Sequence, residues 1–423
     1  MKIQKITGRQ VFDSRGNPTV EAQVLLEGGL SVTGIAPSGA STGSSEALEL
    51  RDGDPDRFAG KSVFRAVHHI SSEISPCLQG RPVADQRTLD ALMIELDGTD
   101  NLSRLGANAV VSVSMALARA AAHSQGRQLY ESLGEGAGTL LPLPEIQIVG
   151  SGLHAGKRVD IQDFMVVAIG AETYRESLEM TFNVYHQTGR ILQERGQLAG
   201  VADEGGFWPL FEANEDVLGV LVEAIEAAGY RPGPDVAISL DIAATDLYHD
   251  GGYRLALEDR VFSSAAFVEM IAGWVDRYPI VSLEDPLAEE DWRGWELAAA
   301  QLMDRVQLIG DDLFTTNTER IRKGIDLGVA NAVLIKLNQI GTVSATIDAI
   351  RCTQEAGWAP VVSARSGETE DTFIAHLAVA FDCGQLKVGS FTRSERMAKW
   401  NEVLRIEDHL GDRARFVGGE VFR

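Results

Sequence analysis

Seven short apolar runs, FMVVAIG, VAISLD, PIVSLED, VQLIGDD, AVLIKLN, PVVSARS and QLKVGS, recur between residues 164 and 390 and alternate with amphipathic helical stretches. Most end in polar residues. Counted from Asp241, the charged residues at Glu284, Asp311, Lys336, Arg365 and Lys387 follow at spacings of 43, 27, 25, 29 and 22 residues. A strand with its crossover helix occupies about 30 residues, so this rhythm predicts parallel strands joined by helices. In a closed β/α barrel every such strand points its C-terminal end at one face, and a site is assembled there from several strand ends. The charged residues sit at those ends. An open doubly wound sheet is the alternative, but it usually shows a glycine fingerprint after its first strand, and none is present. The fold class read from the sequence is therefore α/β, with a β/α barrel over residues 136–423.

Residues 1–135 read differently. VFDSRGNPTVEAQVLLEGG carries strand and hairpin signals, and SVFRAVHHISSEI and ANAVVSVSMALARAAAHS follow as helices, which suggests an N-terminal α+β capping domain. The Gly- and Pro-rich SLGEGAGTLLPLPE, 132–145, reads as the boundary.

The chain has 61 Asp and Glu against 38 Lys and Arg, a formal charge of −23. That field repels phosphate backbones and anionic membrane surfaces, so neither nucleic acid nor membrane is expected as a partner. A small anionic substrate needs cations concentrated at its site, and divalent metal ions supply them. Three separated cysteines, Cys77, Cys352 and Cys383, indicate neither a disulfide framework nor a thiolate zinc site. MKIQKITGRQ lacks the apolar segment of a signal peptide, so the expected location is cytoplasmic.

Asp241, Glu284 and Asp311 each follow an apolar run, and in a barrel they converge as hard oxygen ligands. Two like charges at 4 Å cost about 1 to 4 kcal/mol, a cost that a divalent cation removes. Oxygen ligation without Cys or His favours Mg²⁺. Taken singly, each acid could instead cap the following helix. Lys336, inside AVLIKLN, is expensive to bury for structure alone, and next to a metal its pKa should fall, leaving an amine able to act as a base. Lys387 is a second cation at this face. Arg365 and Ser366 offer a planar fork and a hydroxyl suited to phosphate or carboxylate, although Arg365 could equally be a salt-bridge residue. Glu204 in VADEGGFWP and Gln162 with Asp163 in DIQDFMV are further mouth candidates. His154 lies between glycines in GLHAGK, and PSGASTGSSEALELRD, 37–52, could fold over an anion as a lid; DSRGNPTVE reads as a structural hairpin.

DSRGNPTVE, PSGASTGSSEALELRD, LHAG with QDFM, DEGG, SLEDP, GDDL, IKLNQIGT, RSGETEDTF, GQLKVG and RSERMAKWNEVLRIE together resemble the enolase family along nearly the whole chain. The resemblance implies an enolase-type barrel and an Mg²⁺-dependent phosphopyruvate hydratase, commonly a homodimer. It implies that Asp241, Glu284 and Asp311 hold one Mg²⁺, while Ser41 in the lid helps bind a second that arrives with substrate. Lys336 would take the α-proton of 2-phosphoglycerate, and Lys387 would help to stabilise the resulting enediolate. Glu204 would assist loss of the 3-hydroxyl, with Asp163 in the same catalytic group. Arg365 and Ser366 would bind the phosphate, and His154 would close over it.

Three departures from the family pattern fall at the mouth. SARSGETED replaces SHRSGETED, so Ala364 stands where the family has its active-site His; QDFM replaces QEFM, so Asp163 is one methylene shorter; GSGLHAG replaces NGGSHAG. The implied ligands and base are retained, which points to a working enzyme acting on a small phosphorylated carboxylate, 2-phosphoglycerate or a close analogue, but diverged from glycolytic enolase at Ala364. Ala364 raises an alternative, an enzyme similar to the carboxyphosphonoenolpyruvate synthases of phosphinate antibiotic biosynthesis, joining 2-phosphoglycerate to a nucleotide-activated phosphonoformate. A non-catalytic binding protein on the same scaffold is the third reading.

Overall fold

The computed structural model describes residues 1–40 and 43–422, the side chains of Leu153 and His154 excepted. Ile3–Phe12, Pro18–Leu26 and Ser31–Ile35 form an antiparallel sheet in sequence order. Pro18–Leu26 buries alternate residues against the helix Ala107–Ser124, as a half-buried strand should. Gly34 permits the contact, because a Cβ there would lie 2.4 Å from the Ser112 carbonyl oxygen. Among the described residues no helix is long and apolar enough to cross a membrane.

All seven apolar runs are strands, and an eighth, Leu143–Gly150, completes the barrel. The strands lie around it in sequence order, Leu143–Gly150, Asp163–Val167, Ala237–Asp241, Ile280–Glu284, Gln307–Gly310, Ala332–Ile335, Ala359–Ser363 and Gln385–Ser390, the last pairing with the first. The first strand escaped the sequence reading because its beginning falls in the stretch read as a boundary and because Glu145 and Gln147 interrupt its apolar pattern. Both are fully buried. Below the mouth, Gln385 Nε2 donates to Glu145 Oε1 at 2.5 Å and to Gln307 Oε1 at 2.9 Å, and Ser282 Oγ donates to Gln307 Oε1 at 3.0 Å. A polar layer thus occupies a barrel interior where branched apolar side chains usually dominate.

The expectation of uniformly parallel strands needs correction. Asp163–Val167 runs antiparallel to both neighbours, while the other barrel pairings are parallel. The connection from Gly150 to Asp163 holds only the 3₁₀ turn Gly152–Ala155, too little for a parallel crossover, so the chain returns antiparallel. Gln162 and Asp163 therefore reach the mouth from the start of a strand, not from its end. The reversal also leaves Val167 at the far end of the barrel. Two mutually packed helices, Tyr174–Glu194 and Glu215–Ala227, carry the chain to the mouth and back before Ala237–Asp241 begins. At the top of that excursion sits the hairpin Leu198–Val201 with Phe207–Pro209, with Glu204 at its tip. The long interval before Glu284 is filled by a small three-stranded sheet between Tyr248 and Phe262, then the helix Ser264–Arg277.

Candidate active site

Asp241 and Glu284 end neighbouring strands in register, Asp311 follows Gln307–Gly310, and Lys336 follows Ala332–Ile335. Lys387, in register with Ser363 on the adjacent strand, sends its Nζ to within 2.8 Å of Asp241 Oδ2, 2.7 Å of Glu284 Oε2 and 3.9 Å of Asp163 Oδ2. Lys336 Nζ donates to Asp311 Oδ2, whose partner oxygen Oδ1 accepts from Gln339 Nε2 at 2.8 Å. Gln162 Nε2 donates to Asp241 Oδ2 at 2.9 Å. The barrel thus brings together seven of the residues read from the sequence: Gln162, Asp163, Asp241, Glu284, Asp311, Lys336 and Lys387.

Burial and mutual charge set their protonation. Burial first, then the charges of Asp241 and Asp311, push the Glu284 carboxyl well above the usual carboxylate range. For Asp241 burial acts in the same upward sense, but the Lys387 ammonium outweighs it and holds the group below its ordinary value. Burial opposes the Lys387 charge, yet Asp241 and Glu284 raise its pKa well above that of a free lysine. Lys336 is raised too: burial disfavours its charge, and Asp311 more than compensates. Set by the protein's own groups alone, the direction at Lys336 is thus opposite to the lowering expected beside a metal ion, because a carboxylate is its nearest partner.

The donor set fits a hard divalent cation. Glu284 Oε1 and Gln162 Oε1 are buried and have no hydrogen-bond partner among the described residues, which is costly unless something electropositive faces them. Among the described residues, the carboxylates whose oxygens lie within 4.8 Å of one another are those of Asp285, Asp311 and Asp312, a group that shares only Asp311 with the expected trio of Asp241, Glu284 and Asp311. Asp285 is oriented by the backbone N–H groups of Asp311 and Asp312, at 2.9 and 2.8 Å. Burial, then the neighbouring Asp311, pushes Asp312 up to about 8. Ser41 lies outside the described residues.

A small cavity opens beside these groups, lined in part by Gly39, Glu204, Lys336, Ala364, Ser366 and Lys387. Gln162, Asp163, Asp241 and Arg365 also line it. Ser366 Oγ is buried with no hydrogen-bond partner among the described residues. Arg365 is paired: its Nη1 donates to Glu46 Oε2 and Asn338 Oδ1, both at 3.0 Å. Ala364 is buried in the lining, and its N–H donates to the Lys387 carbonyl at 2.9 Å. Glu204 is held against the rim by Ser390 N–H, which donates to the Glu204 carbonyl at 3.0 Å. That approach requires Gly389, at φ +120°, since a Cβ there would lie 3.1 Å from Glu204 Cβ. His154 lies in the turn Gly152–Ala155, its side chain outside the described residues.

Several groups around the site lie within quoted motifs that gave them no role at the site. Arg396, fully buried, donates through Nη1 to the carbonyls of Arg365 (2.6 Å) and Val388 (2.8 Å) and through Nη2 to that of Ser366 (2.6 Å). Lys399 Nζ lies 2.9 Å from Glu368 Oε2. A signal existed: Arg396, Lys399, Trp400, Val403, Ile406 and Leu410 form one buried helical stripe, so the two cations had to be paired inside. The hairpin DSRGNPTVE does more than turn. Ser14 N–H donates to the Glu368 carbonyl at 2.7 Å, and Arg15 Nη2 to the carbonyls of Ser38 and Gly39 at 3.1 Å each, while Ser38 and Gly367 exchange two backbone hydrogen bonds of 2.8 Å. The N-terminal residues thereby fix both the loop after Ser363 and the base of the segment that lines the cavity.

Residues 3–133 match the family model described as Enolase, N-terminal domain, and residues 138–423 the one described as Enolase, C-terminal TIM barrel domain. Enolase 1 of Desulfitobacterium hafniense (strain Y51) is 52% identical over 424 residues, covering 100% of this chain and 97% of that protein. The chain belongs to the enolase family. As an enolase it is a carbon–oxygen lyase of the hydratase type. Ala364 and Asp163, two of the positions at which the sequence departs from the expected family motifs, both line the cavity, Asp163 from the reversed strand.

Proposed function

We propose that this enolase takes the α-proton from 2-phosphoglycerate and expels its 3-hydroxyl to give phosphoenolpyruvate, with Mg²⁺ at the carboxylate cluster. The observation that carries the reading is the shared cavity: Lys336, Glu204, Asp163 and Lys387 all line it, so a base, acids and a fixed cation would face the same substrate. Asp241, Glu284 and Asp311 would hold the metal, with Ser41 contributing to a second ion. The metal, when bound, supplies positive charge against the substrate carboxylate and the negative charge that develops on it.

Lys336 accepts the α-proton as a neutral amine, a form that a bound divalent cation would favour against the raising effect of Asp311, and the negative charge that develops is met by the Lys387 ammonium, already fixed between two acids and needing no reorganisation. Glu204, with Asp163, protonates the departing hydroxyl, which leaves as water. Arg365 and the Ser366 hydroxyl, which has no hydrogen-bond partner among the described residues, receive the phosphate. Burial of these groups makes each interaction stronger than it would be in water.

Ala364 supports a second reading. Ala364 lines the cavity where the family pattern has a larger, hydrogen-bonding ring, so a second reactant such as a nucleotide-activated phosphonoformate would meet a smaller side chain there. One assay separates the readings: the purified protein with Mg²⁺ and 2-phosphoglycerate, with and without the activated phosphonate, following enolpyruvate formation and nucleotide release. Brisk turnover on 2-phosphoglycerate alone supports the hydratase. Turnover and nucleotide release only with the phosphonate support the coupled reaction. Neither activity, together with no metal binding, supports a binding protein.

A further inference from the structure

Gln147 lies in the middle of the strand Leu143–Gly150 and is fully buried, yet it belongs to none of the motifs that suggest chemistry. Its carboxamide is used at both ends. Nε2 donates to Asp163 Oδ1 at 2.5 Å, and Oε1 accepts from the Gly206 N–H at 2.8 Å. Gly206 follows Glu204 by two residues, in the tip that Ala202 N–H closes with a 2.8 Å bond to the Gly206 carbonyl. Two glycines make space for this side chain. A Cβ at Gly206 would lie 2.5 Å from Gln147 Oε1, and one at Gly150 would lie 2.9 Å from Nε2.

The other glutamines of the barrel interior serve as a contrast. Gln307 and Gln385 bond to each other, and Gln385 to Glu145, in a layer away from the cavity lining. Gln147 instead joins Asp163 on the reversed strand to the hairpin carrying Glu204, two acids that both line the cavity. A buried carboxamide is costly unless both its donor and its acceptor are satisfied, and here each is satisfied by a segment that carries an acid of the site.

We propose that Gln147 is a positioning residue for loss of the hydroxyl: it fixes the Asp163 carboxylate and the Glu204 tip relative to one another, and does not act on α-proton removal at Lys336. The inference rests on the reaction proposed above. It also accounts for the short acid at position 163, since the long Gln147 side chain spans the distance that a glutamate there would fill.

The test uses the full-length protein with Mg²⁺ and 2-phosphoglycerate in D₂O, comparing deuterium uptake at the α-carbon of recovered substrate with elimination. Gln147→Leu removes both hydrogen bonds at similar volume. Elimination is expected to fall roughly 10- to 100-fold, the usual range for loss of a group that orients a ligating or reacting residue, while α-exchange continues, so the ratio of exchange to elimination rises. The double variant Gln147→Asn with Asp163→Glu moves one methylene across the contact and is expected to restore the ratio, where either single change does not. Equal loss of exchange and elimination, or no restoration by the swap, overturns the proposal. A substrate-free arm keeps it separable from the assignment of substrate: amide hydrogen exchange over residues 199–209 should rise in Gln147→Leu and return in the swap. If the unaltered protein does not turn over 2-phosphoglycerate, the substrate reading fails by itself. Unchanged protection of the hairpin overturns the inference about Gln147.

Discussion

The Lys387 ammonium lies 2.8 Å from Asp241 Oδ2 and 2.7 Å from Glu284 Oε2, and so offsets negative charge where two acids are buried side by side. Lys387→Met leaves those acids without their cation. Removing one partner of a buried ion pair costs about 3 to 5 kcal/mol, so the variant should unfold at a markedly lower temperature in EDTA. Mg²⁺ should recover more of the midpoint in the variant than in the unaltered protein. Equal metal dependence of the two melting curves would show that the metal does not meet these oxygens.

Lys336 is the proposed base, fixed by Asp311. Lys336→Ala is expected to abolish deuterium uptake at the α-carbon of 2-phosphoglycerate, with metal binding by calorimetry preserved. Exchange at the unaltered rate would remove Lys336 from the chemistry.

Ala364 stands in the cavity wall. Ala364→His restores a titratable donor, and general acid–base groups contribute about 10²- to 10⁴-fold. Turnover of 2-phosphoglycerate alone is expected to rise at least several-fold, with a new limb in the pH profile near the ordinary imidazole range of about 6.5. A profile identical to that of the unaltered protein would show that a ring at this position does not reach the reacting atoms.

Arg396 holds the carbonyls of Arg365, Ser366 and Val388 with one planar fork. A lysine ammonium cannot reproduce that geometry. Arg396→Lys should loosen the loop that receives phosphate, raising KM by roughly 10-fold with a smaller change in kcat. A fall in kcat at constant KM would place Arg396 in the chemical step instead.

Glu145 has its carboxyl pushed upward chiefly by burial, with Lys387 opposing. A raised pKa in the folded state means that folding favours the protonated form: the stabilisation is present below the ordinary value of 4.5 and is lost as the pH rises through the raised one. Glu145→Gln is neutral throughout. Its melting temperature should therefore exceed that of the unaltered protein at neutral pH, and the difference should shrink towards pH 4. A constant difference across that range would contradict the shift.

Much of the barrel was legible because a strand buried on both faces must be apolar and a crossover helix has a nearly fixed length, so periodicity alone located seven strands. Leu143–Gly150 was not legible, since its inward residues are polar and their partners, Gln385, Ser239 and Gly206, are distant in sequence. The reversed strand was hidden for a related reason: apolar alternation carries no sign of direction, and only the short connection from Gly150 hinted at it.

The sequence by itself determined the alternation of strands and helices, the acids and lysines that close the strands, and, through its motifs, the enolase family. Tertiary structure alone decided which partners those charges meet. A carboxylate's protonation, and the contact that Gln147 makes between Asp163 and the Glu204 hairpin, depend on distances of a few ångströms between residues far apart in the chain, and no local pattern encodes those distances.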